Sequence, residues 1–230
     1  LAVTFAGLGD PLMHPGLGAL LGEPLAGGDG VWPFACMAFE SDLLVEPEVI
    51  DRLLALKRPL VIRARLNAAT AETYAAVMGV DGCERALANL ARLAKADRPA
   101  EAPVLVVPMM VKCRQNVHEL EPFVDRWQST LGAALVTGPS DGAGLVEDVG
   151  VLDMAPPRRF ACRQLAHRMT VLSDGTVPRC DQDWLAREAV GNVNDEPIEP
   201  MWSRLQDLRR SHERGRYPGL CEGCRHWHRP

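Results

Sequence analysis

The chain has 230 residues, 47% of them hydrophobic, and a formal net charge of −5. That length and apolar content support one good core and a small second one. The acidic balance argues against a general nucleic-acid binder, and no apolar run approaches the ~18–20 residues of a membrane span.

The first residues, Leu1-Ala2-Val3-Thr4-Phe5, read as a strand, with neither an initiator methionine nor a signal peptide ahead of them. A chain that opens inside a strand is expected to be N-terminally incomplete. Further strands are predicted at Phe34–Phe39, Leu60–Leu66, Val104–Val111 and Ala133–Thr137. Several are apolar almost throughout, as strands covered on both faces are. Between them lie helical patterns. Pro47–Lys57 puts Val49, Ile50, Leu53 and Leu54 on one face. Asp81 with Glu84, and Asn116 with Glu119, have the spacing of capping boxes ahead of two more helices. The first has Leu87, Leu90 and Ala94 on its stripe; the second has Leu120, Phe123, Val124, Trp127 and Leu131. Strand–helix repetition of this kind predicts right-handed βαβ units on a parallel sheet, either an open wound sheet or part of a barrel. From Gly138 to Arg159 the composition shifts to Gly, Pro, Ser and Asp, which reads as a linker (139–159) between unit 1–138 and tail 160–230.

The tail is a different object. Met169–Leu172 and Thr176–Cys180 flank Ser173-Asp174-Gly175, a hairpin signal. Pro200 suits a first helical position, Trp202, Leu205 and Leu208 are expected on one face of that helix, and Gly215 is placed to end it. Residues 1–150 carry 12 Lys/Arg against 19 Asp/Glu, whereas residues 151–230 carry 13 against 11, and all 13 are arginine. Arginine grips carboxylates and phosphates in a planar fork. These arginines either form an anion-binding surface or, the favoured reading, stay solvated on a domain poor in core. About 70 residues with so few apolar anchors need a staple.

Cysteines can supply it. Cys162, Cys180, Cys221 and Cys224 gather four thiols into the tail, the last two as a C-x-x-C in Cys-Glu-Gly-Cys-Arg-His-Trp-His. Seven cysteines without a secretory context favour a reduced, cytoplasmic protein with metal thiolates over a disulfide framework. Thiolates select zinc or an iron–sulfur cluster, and His226 and His228 stand as possible nitrogen ligands that would favour zinc. Spacing leaves that choice open. Cys36, Cys83 and Cys113 are isolated and read as buried or incidental thiols.

The tail resembles the SPASM/twitch auxiliary-cluster domain of radical S-adenosylmethionine (SAM) enzymes. The similarity rests on C-x17-C with Gly175 five residues before its second cysteine, on Gly191-Asn192-Val193, on the Trp202 helix and on Cys221–Trp227. It implies an auxiliary [4Fe–4S] cluster whose metal ligands are Cys162, Cys180, Cys221 and Cys224. With no cysteine after Cys224, the tail looks like a one-cluster variant. Residues 3–15, with Gly7-Leu8-Gly9-Asp10-Pro11 before Leu12-Met13-His14-Pro15, resemble the family's segment after its second strand, which holds the amino group of SAM. Asp10 stands where Glu is usual. Glycine lets backbone approach a ligand closely, and a carboxylate beside strand-end carbonyls can accept hydrogen bonds from an amine. Residues 65–90 are similar to the fourth-strand segment and its helix; Arg65 and Asn67 occupy positions from which the family contacts the cofactor, where Ser and Asp are common. Tyr74 and the Gly79–Glu84 turn read as structural.

The fold class implied is α/β, a partial (β/α)6 radical SAM-type barrel missing its first strand, with a small cysteine-rich hairpin-and-helix domain after it. The implied function is a fragment of an oxidoreductase or maturase that cleaves SAM reductively and abstracts a substrate hydrogen. Its partners would be a small-molecule or peptide substrate and an electron-donor protein, with no nucleic acid and no membrane. The C-x3-C-x2-C loop that binds the family's second [4Fe–4S] cluster is expected on sequence before Leu1, so the chain as given is expected to be inactive. The competing expectation is a non-catalytic module with a structural zinc site, built from the four cysteines or from cysteine and histidine together, and a scaffold for a partner. An intact homologue that lost its first cluster is a third.

Overall fold

A computed structural model describes residues 2–17, 36–151 and 155–229. It divides into two compact units, Leu1–Gly138 and Pro139–Pro230. Residues 139–159, expected as a linker, fall within the second, except that 152–154 lie outside the described residues. No helix among the described residues is long and apolar enough to cross a membrane.

The first unit is α/β. Its strands are β1 (Ala2–Phe5), β2 (Cys36–Ser41), β3 (Leu60–Arg65), β4 (Val104–Val111) and β5 (Leu135–Thr137). They form one sheet in the order β1-β2-β3-β4-β5, every neighbouring pair parallel. The expected start of β2 at Phe34 lies outside the described residues; the strand is seen from Cys36 and runs on to Ser41. Helix α1 (Pro47–Leu54) connects β2 to β3, α2 (Ala71–Met78) and α3 (Cys83–Ala94) connect β3 to β4, and α4 (Leu120–Leu131) connects β4 to β5. A sequential parallel order with helical crossovers winds in one direction, as barrel staves do. The core sits between sheet and helices, with Phe39, Ile50, Leu53, Ile62, Tyr74, Met110 and Phe123 all fully or nearly fully buried. Phe5 stacks on Phe39 across the β1–β2 pair, with ring centroids 5.0 Å apart.

Neither expected capping box forms. Gly82, not Asp81, is the N-cap of α3, and no side chain caps it. Asn116 and Glu119 serve other elements. Asn116 Oδ1 accepts from the Cys113 N–H at 2.7 Å, while its amide donates to the carbonyls of Asn67 (2.8 Å) and Val111 (3.0 Å). The Glu119 carboxylate accepts from the backbone N–H groups of Ala69 (2.6 Å) and Thr70 (3.3 Å) and from the Thr70 hydroxyl. Thr70 is itself the N-cap of α2, accepting from the Thr73 N–H. One buried carboxylate therefore ties the start of α4 to the start of α2, across 49 residues of sequence. Short-range spacing cannot reveal a bond of that kind.

Burial works against ionisation of Glu119, but the hydrogen bonds from Thr70, Ala69 and Thr73 outweigh it and hold its carboxyl below the usual range. A carboxyl depressed in the fold adds stability above its unfolded value, and that contribution is lost as pH falls through the folded one. Glu119→Gln turns an amide toward donors, so it should cost about 2 kcal/mol at neutral pH. Urea unfolding at pH 7 and below pH 4 checks this: the gap between variant and parent should narrow in acid.

In the second unit, β6 (Thr176–Val177) pairs antiparallel with β7 (Gly191–Asn192), and the helices are α5 (Arg163–His167), α6 (Ile198–Arg204) and α7 (Gln206–Glu213). The Ser173-Asp174-Gly175 turn forms as expected, closed by the Leu172 N–H donating to the Thr176 carbonyl at 2.8 Å. The ladder differs from expectation. Met169–Leu172 is not a strand, and the partner of β6 is the Gly191-Asn192 segment, whose Asn192 joins Asn194 in donating to the Asp174 carbonyl. Gly175 adopts φ +86°, and a Cβ there would run into both asparagine side chains. Pro200 is the third residue of α6, with Pro197 as its N-cap. The buried positions are Met201, Leu205 and His212; Trp202 is instead exposed, under the Arg209 guanidinium at 3.5 Å. Gly215, at φ +71°, ends α7 as predicted.

Candidate metal centre

The four tail cysteines come from three separate pieces of backbone. Cys162 is the N-cap of α5. Cys180 follows β6 at a turn in which its carbonyl accepts from the Asp183 N–H. Cys221 ends a 3-10 turn, Gly219–Cys221, and Cys224 closes the next turn by donating its N–H to the Cys221 carbonyl. All four line one cavity, together with Arg159, Arg179, His212 and His226. None is in a disulfide. The thiols also feel one another, since Cys221 and Cys224 each sense Cys162, and Cys180 senses both. The expected gathering is there.

Burial pushes the Cys180 thiol up to about 12, and it raises those of Cys221 and Cys224 as well. Donors to sulfur pull the other way: the Gln182 backbone N–H toward Cys180, the Arg179 side chain toward Cys221, and the His226 N–H to Cys224 Sγ at 3.3 Å. These are desolvated sulfurs surrounded by N–H groups, an environment that favours thiolates once a cation balances their charge.

The thiols border a cavity without meeting at a point. A tetrahedral zinc with bonds of about 2.3 Å would hold its sulfurs roughly 3.8 Å apart. Among the described residues, no three His, Cys, Asp or Glu side chains are placed to hold a single ion. Four desolvated thiols ringed by N–H groups are soft donors, and their chemistry fits a thiolate-bound metal centre, zinc or an iron–sulfur cluster.

Arginines shape the surround, though not in the expected way. Arg159, which sequence reasoning did not single out, donates to the carbonyls of Cys221 and Glu222 and stacks on Tyr217 at 3.8 Å. Arg179 pairs with Glu188 and donates to the Pro218 carbonyl at 2.9 Å. Together they clamp the C-x-x-C loop. Arg163 instead lies over Phe160, and Arg225 pairs with Asp148. Arg187, Arg204, Arg209 and Arg229 likewise donate to backbone carbonyls. Expected as solvated, six of the 13 arginines in residues 151–230 act as cross-braces in a unit with little core. The five-donor guanidinium fork suits that work.

Two histidines line the cavity. His226 Nε2 lies 2.8 Å from Asp141 Oδ1, and its Nδ1 is buried without a hydrogen-bond partner. His212, unremarked in the sequence, is 3% exposed. Burial, then the charges of Arg159 and Arg179, pull its pKa down to about 4.

The second candidate site lies at the ends of β1, β2 and β3. Asp10 Oδ1 accepts from the Leu12 N–H at 2.9 Å, and Oδ2 accepts from the Ser41 hydroxyl and the Asp42 N–H, each at 2.8 Å. Arg65 pairs with Asp42 at 2.8 Å and donates to the carbonyls of Gly7 and Gly9, each at 3.4 Å. Gly7, Gly9, Asp10, Pro11 and Arg65 are thus brought together, with Leu8 77% exposed beside them. Burial raises the Asp42 carboxyl; Arg65 draws it back and Asp10 adds to the rise. Asn67 is turned inward. At φ +59° it is 8% exposed, with Oδ1 accepting from the Val111 N–H at 2.8 Å and its amide on Met78 sulfur.

Residues 162–225 match the family model described as the SPASM iron–sulfur cluster-binding domain. The tail is similar to that domain along these residues. The span of the match begins at Cys162 and includes all four cavity cysteines, so the SPASM assignment and the thiol geometry agree. The match points to iron–sulfur cluster binding by residues 162–225. An uncharacterized protein of Treponema pallidum (strain Nichols) is 34% identical over 125 residues, which are 54% of this chain and 35% of that protein. The matched stretch is thus about a third of that relative's length. The crystal structure of selenomethionine BtrN in an open conformation aligns with 93% of this chain and 80% of that one, at a TM-score of 0.42 and 16% identity.

Proposed function

We propose that this chain is the SAM-facing sheet and SPASM tail of a radical SAM enzyme that abstracts hydrogen from a small-molecule or peptide substrate. The observation that carries the proposal is the convergence of Cys162, Cys180, Cys221 and Cys224 on one cavity within the SPASM segment. These four residues would hold an auxiliary [4Fe–4S] cluster, and the chemistry it supplies when bound is electron transfer. The chain's own contribution is to exclude water from the sulfurs, direct N–H groups at them, and fix the C-x-x-C loop through Arg159 and Arg179.

In the first unit, Gly7–Pro11 and Arg65 are proposed to face SAM, and Asn67 to position the β3 end rather than touch the ligand. The five parallel strands would be the second to sixth staves of a (β/α)6 barrel. The cluster that cleaves SAM, an electron-donor protein and a cytoplasmic setting complete the proposal for the whole protein.

Anaerobic purification followed by metal and sulfide analysis tests the central part. About four irons and four sulfides per chain, with broad visible absorbance, are expected. One zinc per chain and no visible band would replace the proposal with a structural zinc module.

A further inference from the structure

Resting on the cluster reading above, we propose that His212 donates a hydrogen bond from Nε2–H to a sulfur of the tail cluster and thereby raises its reduction potential. The tautomer follows from the geometry. His212 Nδ1 accepts from the Cys162 backbone N–H at 3.4 Å, so Nδ1 carries a lone pair and the ring proton resides on Nε2. That Nε2 is buried and has no hydrogen-bond partner. His212 is 3% exposed and lines the same cavity as the four cysteines.

A buried N–H without an acceptor costs about 1–3 kcal/mol, and native structures keep such donors few. Arg159 and Arg179 supply guanidinium groups at the cavity, and the Tyr217 ring meets the imidazole edge-on at 5.0 Å. Cluster and thiolate sulfurs would stand in the same cavity as acceptors for that N–H. The same ring would thus orient Cys162 through one nitrogen and the cluster through the other. His212 sits 50 residues from Cys162, on the buried face of α7, so that helix becomes part of the redox site.

A hydrogen bond to cluster sulfur strengthens as negative charge accumulates on reduction, and such bonds are a recognised lever on potential. The test is an EPR-monitored redox titration of the reconstituted protein, with iron and sulfide counted for each sample. His212→Phe keeps a ring against Tyr217 and removes the donor. Its midpoint should fall by an amount equal to about a tenfold change in the reduced-to-oxidised ratio, ~59 mV for one electron. His212→Gln can return an N–H to the Nε2 position and should recover most of the shift. Full cluster content with an unchanged midpoint in His212→Phe overturns the inference while leaving the cluster reading intact. Should His212→Phe lose its cluster, His212→Gln decides: a parental midpoint supports the donor role, and a midpoint shifted despite a restored N–H overturns it. A parent protein that takes up zinc but no iron or sulfide overturns both readings.

Discussion

Cys180→Ala should abolish cluster uptake, taking iron from about four per chain to near zero, whereas Cys113→Ala should leave iron content unchanged. Both thiols are free, and Cys113 is the more buried of the two. Company distinguishes them. Cys180 shares its cavity with three other cysteines, while Cys113 sits in the β4–α4 connection, where its backbone N–H engages Asn116. The consequence for folding is as large as that for loading. The second unit buries few large apolar side chains and relies on arginine bridges to carbonyls. Removing a ligand from a metal-stapled domain of this size removes folding free energy directly. Limited trypsin digestion of anaerobically reconstituted protein is therefore expected to degrade residues 139–230 of Cys180→Ala and spare 1–138. An equally protected tail in the iron-free variant would show that arginines and hydrophobic contacts suffice without a staple.

The parts of this molecule that sequence made legible are those fixed by local or periodic rules. Strand and helix order follows from apolar periodicity, and β4 matches its predicted limits, Val104–Val111. Gly215 ends its helix because few other residues adopt φ +71° so easily. The four cysteines were visible because thiols so close in a polar tail have few structural uses. What stayed hidden depends on long-range placement. Glu119 has capping-box spacing yet caps a helix 49 residues away, because its carboxylate finds bare N–H groups at α2 closer than its own. The second strand of the tail hairpin lies beyond Cys180 rather than before the turn, since Asn192 and Asn194 secure the Asp174 carbonyl. His212 had no sequence signal at all. A lone histidine on an arginine-rich helix reads as surface until its burial is seen.

Asp10→Ala should destabilise the first unit by about 3 kcal/mol, whatever its effect on ligand binding. The carboxylate accepts three hydrogen bonds, from the Leu12 N–H, the Ser41 hydroxyl and the Asp42 N–H. Alanine would orphan all three donors at about 1–3 kcal/mol each, with the lower figure fitting a partly buried site. The loss would spread. Ser41 Oγ, fully buried, also accepts from the Leu43 N–H, and Asp42 anchors the Arg65 guanidinium that spans the Gly7 and Gly9 carbonyls. A urea slope of about 1–3 kcal/mol per molar implies a midpoint lower by roughly 1–3 M. Asp10→Asn should fall between parent and alanine, because its amide keeps one acceptor oxygen but turns a donor toward other donors. The pair separates two roles. A carboxylate has about four lone-pair positions, and three of Asp10's are used inside the fold, so one, on Oδ1, remains for a ligand amine. If Asp10 serves chiefly as a ligand contact, both variants should keep the parental midpoint and lose only binding. If it is chiefly the keystone of the loop, stability falls first, and any loss of ligand affinity follows from displaced Gly7 and Gly9 carbonyls.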